Sequence, residues 1–151
     1  MMTGKVTVLQ RLRELARSPE QRRAADQAFL DKAVVLDFAG HPLLLGQTLE
    51  QLVARRAELG KSVEEFAAAV GQLPKPCDRR LRIVHNILHR GIDRLREIVK
   101  GVDALANGDK RAIKGIDRAL RRWKASTDRG QLLLRDYALE KLALAGKGID
   151  D

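Results

Sequence analysis

Apolar residues recur along most of this chain at three- and four-residue spacing, the period of an α-helix that turns one face inward. Val8, Leu9, Leu12, Leu15 and Ala16 open the pattern as a short amphipathic helix. Ser18, Pro19 and Gln21 then form a capping box with proline at the first helical position. The helix they start carries Ala25, Ala28, Phe29, Val35, Leu36 and Phe38, and Gly40 stops it. Residues 41–47 read as an apolar connector. Thr48 with Gln51 caps a helix that ends at Gly60, and Ser62 with Glu65 caps another that ends at Gly71. Pro74 and Pro76 cannot continue a helix, and each restricts the residue before it. Asp78 caps a long helix over about 79–100, Asn107-Gly108 makes a turn, and Asp109 caps a helix over about 110–125. Ser126, Thr127 and Asp128 open a last helix reaching about Ala145.

This pattern predicts an all-α protein of about seven helices, one domain over 1–151, packed as a helical bundle or an orthogonal helical array. Within it, 1–71 and 79–145 form two helical halves, 72–78 is the proline-containing connector, and 146–151 is a frayed tail. On the long helix, Leu81, Val84, Leu88, Ile92, Leu95 and Val99 share one face, with Ile87 and Ile98 at its edge. On the 110–125 helix, Ile113, Ile116, Leu120 and Trp123 form the equivalent stripe.

A base-Gly-aliphatic-Asp unit recurs through this region, at residues 90–93, 100–103 and 114–117, and again at 147–150. Two of its aliphatic residues, Ile92 and Ile116, fall on the predicted buried stripes. A glycine inside a helix costs about 1 kcal/mol relative to alanine. It is tolerated where another backbone or a ligand comes close. The recurrence therefore predicts similar amphipathic helices with glycine at close approaches. Residues 90–100 and 114–124 match over about eleven positions, which also fits a duplicated helix pair. The copies are too few and too irregular for a solenoid.

Composition agrees with helix-on-helix packing. Hydrophobic residues make up 44% and charged residues 32% of 151, whereas aromatics are only 3%. The core must then come from Leu, Ile, Val and Ala. Cys77 is the only cysteine, so no intramolecular disulfide forms. The N-terminal residues lack the apolar stretch of a secretory signal, and no window approaches the roughly 20 apolar residues of a membrane span. A cytoplasmic, reducing location is the expectation.

Charge changes the picture more. The net charge is +9, and its location is uneven. Residues 1–78 hold 11 Lys and Arg against 10 Asp and Glu, residues 79–124 hold 14 against 5, and residues 125–151 hold 4 against 5. The whole excess lies in one segment, the footprint expected for an anionic partner. On a helical projection Arg111, Lys114, Arg118, Arg121 and Arg122 occupy one arc opposite the apolar stripe. Arg82, His89, Arg96 and Lys100 on the long helix are candidate supporting contacts. Arginine predominates in the arc, which suits bidentate phosphate contacts. No aromatic residue interleaves with these bases, because Trp123 lies on the buried stripe. Duplex or structured RNA is thus expected ahead of stacked single strands.

Two short stretches resemble nucleic-acid-binding motifs. Residues 112–120, "AIKGIDRAL", resemble in part a helix-hairpin-helix turn, whose backbone amides meet a phosphate. Asp117 stands where that motif has its second glycine, and a carboxylate there repels phosphate. Residues 49–71 resemble the first two helices of lambda-repressor-like helix-turn-helix domains, with Arg55-Arg56, a glycine-containing break and a Ser62–Glu65 capping box. That resemblance implies a recognition helix following at once, but residues 72–78 intervene. An ordinary helical hairpin is the plainer reading of these 23 residues.

Catalytic and metal chemistry find little support. His85 and His89 stand four apart on a helix, as metal-binding pairs do, but Asn86 occupies the place of a metalloprotease's glutamate, and only Cys77 offers a third ligand. A boundary histidine and a surface histidine account for them, and no metal or cofactor is expected. Cys77 has no evident base, and no phosphate-binding glycine loop or nucleophile elbow is present, so the chain does not read as an enzyme. The leading expectation is a small basic α-helical protein that binds nucleic acid, DNA first, in a regulatory or accessory role. The alternative is a helical adaptor, chaperone or assembly factor whose basic face docks an acidic protein. Attachment to an anionic membrane surface ranks last, because the basic helix lacks bulky exposed apolar residues. A homo-oligomer is compatible with the sequence.

Overall fold

The computed structural model describes Val8, residues 18–36 and residues 47–146 of the chain. Among these, five helices and no strand are found: α1 (Pro19–Val35), α2 (Leu49–Ala54), α3 (Arg56–Gly71), α4 (Arg79–Ala106) and α5 (Ala112–Gly146). The all-α reading holds, and the expected count of about seven is corrected for the described residues. The expected first helix over 8–16 lies outside them except for Val8, which is helical. So do the stop at Gly40, nearly all of the apolar connector, and the fourth glycine unit with its tail.

Several boundaries follow from local chemistry. The Ser18 hydroxyl accepts from the Gln21 N–H at 3.1 Å, and the Gln21 side chain returns the bond to the Ser18 N–H at 3.0 Å. Thr48 and Gln51 build the same reciprocal box at the start of α2. Asp78 accepts from the N–H groups of Arg80 and Leu81, satisfying two donors that a helix start leaves orphaned. Residues 72–78 leave the helical path at the two prolines, as predicted. Gly108 adopts φ +93°. The Asp109 N–H then bonds the Ala104 carbonyl and the Gly108 N–H bonds the Leu105 carbonyl, a Schellman closure of α4.

Other expected boundaries are absent. Gly60 and the Ser62–Glu65 box lie inside α3, and the chain breaks instead at Arg55, with φ −107° and ψ 20°. Gly60 is half-buried beside Val99 of α4 and stays within the helix. The long helix does not end at about residue 100: α4 continues six residues further, through Gly101 to Ala106, and buries Val102 completely. Ser126 and Thr127 do not cap a new helix. The Thr127 hydroxyl donates to the Lys124 carbonyl at 3.0 Å inside α5, and Ser126 accepts from the Arg94 guanidinium. The expected helices over 110–125 and 128–145 are therefore one helix of 35 residues.

The central helix is α4. Its contacts with α5 run in opposite directions along the two chains: Arg80 pairs with Glu140, Gly91 meets Trp123, Arg94 reaches the Arg122 carbonyl at 3.1 Å, and Gly101 meets Ile116. The two helices are thus antiparallel. On its other flank α4 receives α3, with Arg96 paired to Glu64 and Val99 beside Gly60, again antiparallel. The buried positions of α4 are Leu81, Val84, Leu88, Gly91, Leu95, Ile98 and Val102, alternating at three and four residues as in a coiled-coil seam. This corrects the predicted stripe. Ile92 and Val99 are only half-buried, whereas Ile98 and Gly91 sit at its centre. On α5, Ile116 and Trp123 are buried as expected, Ala119 lies between them, Leu120 is half-buried, and Ile113 is 37% exposed.

The glycine units separate into two kinds. A Cβ built on Gly91 would lie 2.3 Å from the Trp123 ring, and one on Gly101 would lie 2.7 Å from Ile116 Cγ1. These glycines let α5 approach α4. Ile116, the aliphatic residue of one unit, thereby packs on the glycine of another. Gly115 has nothing within 4 Å and is exposed, so its unit has no close approach.

From α1, Phe29 and Ala33 complete the core at zero exposure. Asp26, only 7% exposed, holds α1 to the connector: one carboxylate oxygen accepts from the N–H of Cys77 at 2.6 Å and of Asp78 at 3.0 Å. No helix among the described residues is long and apolar enough to cross a membrane.

Candidate nucleic-acid interface

The inner seam of α5 runs Ile116, Ala119, Trp123, Gly130 and Tyr137, all buried. Positions half a turn away must face out. Arg111, Lys114, Arg118, Arg121 and Ala125 follow one another at three- and four-residue spacing on that outward side, and all five are exposed. Arg111 sits in the turn just before α5 and the others on its first four turns. Arg122 projects from the flank of the same side. Over about 17 Å of helix this places five bases side by side, a length of duplex carrying about ten phosphate charges.

Not all of the positive charge is available. Arg121 pairs with Asp117 one turn earlier, and Arg111 Nε donates to Asp109 at 3.1 Å. Lys114, Arg118 and Arg122 enter no ion pair among the described residues. Exposed pairs of this kind contribute about 0–1 kcal/mol, so a phosphate can displace the carboxylate at small cost. Lys114, Asp117, Arg118, Arg121 and Arg122 rim an open hollow of about 440 Å³. Every rim residue belongs to one helix, so the hollow is a space between projecting side chains and not a cleft for an enclosed ligand. Behind it, the Arg94 guanidinium holds the Arg122 carbonyl and Ser126. This bond fixes α5 against α4 and adds a further positive charge near the arc.

The supporting bases do not join this face. Arg82, His89 and Arg96 stand seven apart along α4, on the side turned toward α1 and α3. Arg96 donates to both oxygens of Glu64 at 3.1 and 2.9 Å, and its guanidinium lowers the Glu64 carboxyl pKa below the ordinary value. Arg82 is exposed. Lys100 is exposed at the far end of α4, one residue before the Gly101–Ile116 contact, and is the supporting base nearest the start of the α5 arc.

His89 Nε2 lies 3.2 Å from His85 Nε2, so one ring donates to the other. His85 is half-buried against the Phe29 ring, with centroids 5.9 Å apart. Burial, then His89, then Lys75 lower its pKa from the ordinary 6.5. Among the described residues no group of three or more His, Cys, Asp and Glu side chains is placed to hold a metal ion. Trp123 meets Phe66 edge-on at 5.8 Å inside the core, where no base can reach it.

Neither partial motif resemblance survives as geometry. Residues 112–120 lie within the continuous α5 and contain no hairpin turn. Residues 49–71 break at Arg55 and continue through Gly60. The sequence reading missed the outward face beyond residue 125, because it ended the helix there. The three-four spacing continues through Asp128, Leu132, Arg135, Leu139 and Leu142, all exposed, and that spacing was the available signal. Comparison of the chain with protein-family models, with curated proteins and with solved structures found no match.

Proposed function

We propose that this protein binds nucleic acid, DNA first, in a regulatory or accessory role, through phosphate contacts of the outward face at the start of α5. The observation that carries the reading is the collection of Arg111, Lys114, Arg118, Arg121 and Arg122 on one exposed side, three of them outside any ion pair among the described residues. A convex helix face with no enclosed pocket suits a polyanion better than a small anion. The burial of Trp123 keeps the aromatic residue nearest the arc out of reach of a base, which supports duplex over stacked single strands. Such binding is largely independent of sequence, because phosphates carry no base identity.

The test is fluorescence anisotropy with a labelled random duplex, titrated at several salt concentrations. Three to five phosphate contacts give a log-affinity slope of about −3 to −4.5 per decade of salt. Absence of binding at low salt removes the proposal. It then leaves the adaptor reading, in which the same face docks an acidic protein.

A further inference from the structure

The C-terminal half of α5 is apolar on both sides. Inward, Gly130 and Tyr137 are buried. Outward, Leu132 is 57%, Leu139 52% and Leu142 68% exposed. With Arg135 they fall at spacings of three, four and three, which places them on one line along the helix. A line of large apolar side chains facing water on a helix already packed on its other side is an unsatisfied surface.

Charge identifies the occupant. Residues 128–144 carry Asp128, Asp136 and Glu140 against Arg129, Arg135 and Lys141, a balanced set. The preceding half of the same face is strongly basic and repels a copy of itself. The two halves together therefore permit one self-pairing and oppose the other. A parallel pairing sets Arg135 on Arg135 and lays basic arc against basic arc. An antiparallel pairing layers Leu132 on the second copy's Leu142 and Leu139 on the second copy's Arg135, and the reverse contacts repeat them by symmetry. It also brings Arg135 alongside the second copy's Asp136 and sends the two basic arcs to opposite ends.

We propose that two copies of this chain associate antiparallel through the Leu132–Leu142 line of α5. The interface is four layers long, at the small end of specific interfaces, so the association is weak and reversible. Its consequence is bivalency: two basic arcs held about 60 Å apart on one rigid pair of helices. The association itself does not rest on the nucleic-acid reading, and it is measured without nucleic acid.

Sedimentation equilibrium of the full chain tests it, over concentrations around a dissociation constant on the order of 10 µM. The mass is expected to rise from 16.8 kDa toward twice that value. The Leu139→Asp/Leu142→Asp variant is expected to stay monomeric with unchanged helix content by circular dichroism. Both positions are exposed, so the fold does not need them; Leu132→Asp provides a second variant with the same expected loss. Orientation is read by cross-linking in a Cys77→Ser background. A mixture of Leu132→Cys and Leu142→Cys chains forms a disulfide-linked pair faster than either does alone. A wild-type chain that stays at 16.8 kDa overturns the proposal. So does a dimer that persists in both aspartate variants, or a Leu139→Cys chain that links to itself faster than the mixture.

Discussion

Trp123 lies directly over Gly91: a methyl group added at residue 91 would stand 2.3 Å from Cζ3 of the indole. The tryptophan is 3% exposed and braced by Phe66, so the ring has no open side to move into. This contact lets α4 and α5 approach closely at this level.

Gly91→Ala and Gly115→Ala are accordingly expected to act in opposite directions. Alanine improves helix propensity at both positions by about 1 kcal/mol. At Gly91 the overpacked ring costs about 1–3 kcal/mol and outweighs that gain. At Gly115 nothing lies within 4 Å, so the gain stands. Thermal melts of the two variants check this, with the melting temperature lowered by Gly91→Ala and raised by Gly115→Ala.

Asp26 is a polar link between α1 and the connector, and its removal takes one hydrogen bond from each of the N–H groups of Cys77 and Asp78. Asp26→Ala is expected to cost about 2–3 kcal/mol, because it removes two hydrogen bonds to a charged acceptor at half-buried N–H groups. Asp26→Asn keeps one acceptor oxygen and loses less. Urea unfolding gives the two free energies, and faster amide exchange at residues 77 and 78 locates the effect.

Reversal of charge at Lys114 and Arg118 separates the proposed face from the rest of the positive surface. Lys114→Glu/Arg118→Glu is expected to lower duplex affinity more than tenfold at low salt and to flatten the salt slope by about 2. Arg96→Gln, whose guanidinium is already held by Glu64 on another side, is expected to change affinity less than threefold. Anisotropy titrations of the three proteins decide it, and equal losses for both variants contradict the assignment.

His85 makes stability depend on pH in a fixed direction. Burial, His89 and Lys75 all disfavour its imidazolium in the folded chain, so the folded pKa lies below the ordinary 6.5. Above that value the ring is neutral folded and unfolded, and it contributes no pH dependence. As pH falls below about 6.5 the unfolded chain takes up the proton first, and stability falls until the folded value is passed. Melting temperatures between pH 7.5 and 5 are expected to decline less steeply in His85→Gln than in the wild type.

Much of the fold was legible because local chemistry decides it. Ser18–Gln21, Thr48–Gln51 and Asp78 each satisfy orphan N–H groups of their own first turn, so their neighbours in sequence are sufficient to place those starts. Pro74 and Pro76 end helical structure for equally local reasons. The boundaries that failed are those at Gly60, Gly101 and residues 126–128, where a weak local stop meets a strong tertiary contact. Gly60 faces Val99 and Gly101 faces Ile116, while Ser126 takes a bond from Arg94, 32 residues away in sequence.

Sequence alone determined the class of the protein, the concentration of its charge into residues 79–124, and the arc of bases on one helix side, since all three depend on composition and helical period. Tertiary structure decided the rest. It rotated the α4 seam onto Gly91 and Ile98, joined two expected helices into α5, and turned Arg82, His89 and Arg96 away from the arc they were expected to support. The physical reason is that a period fixes which residues share a face, whereas only the partner packed against a helix decides which face is buried and how far the helix runs.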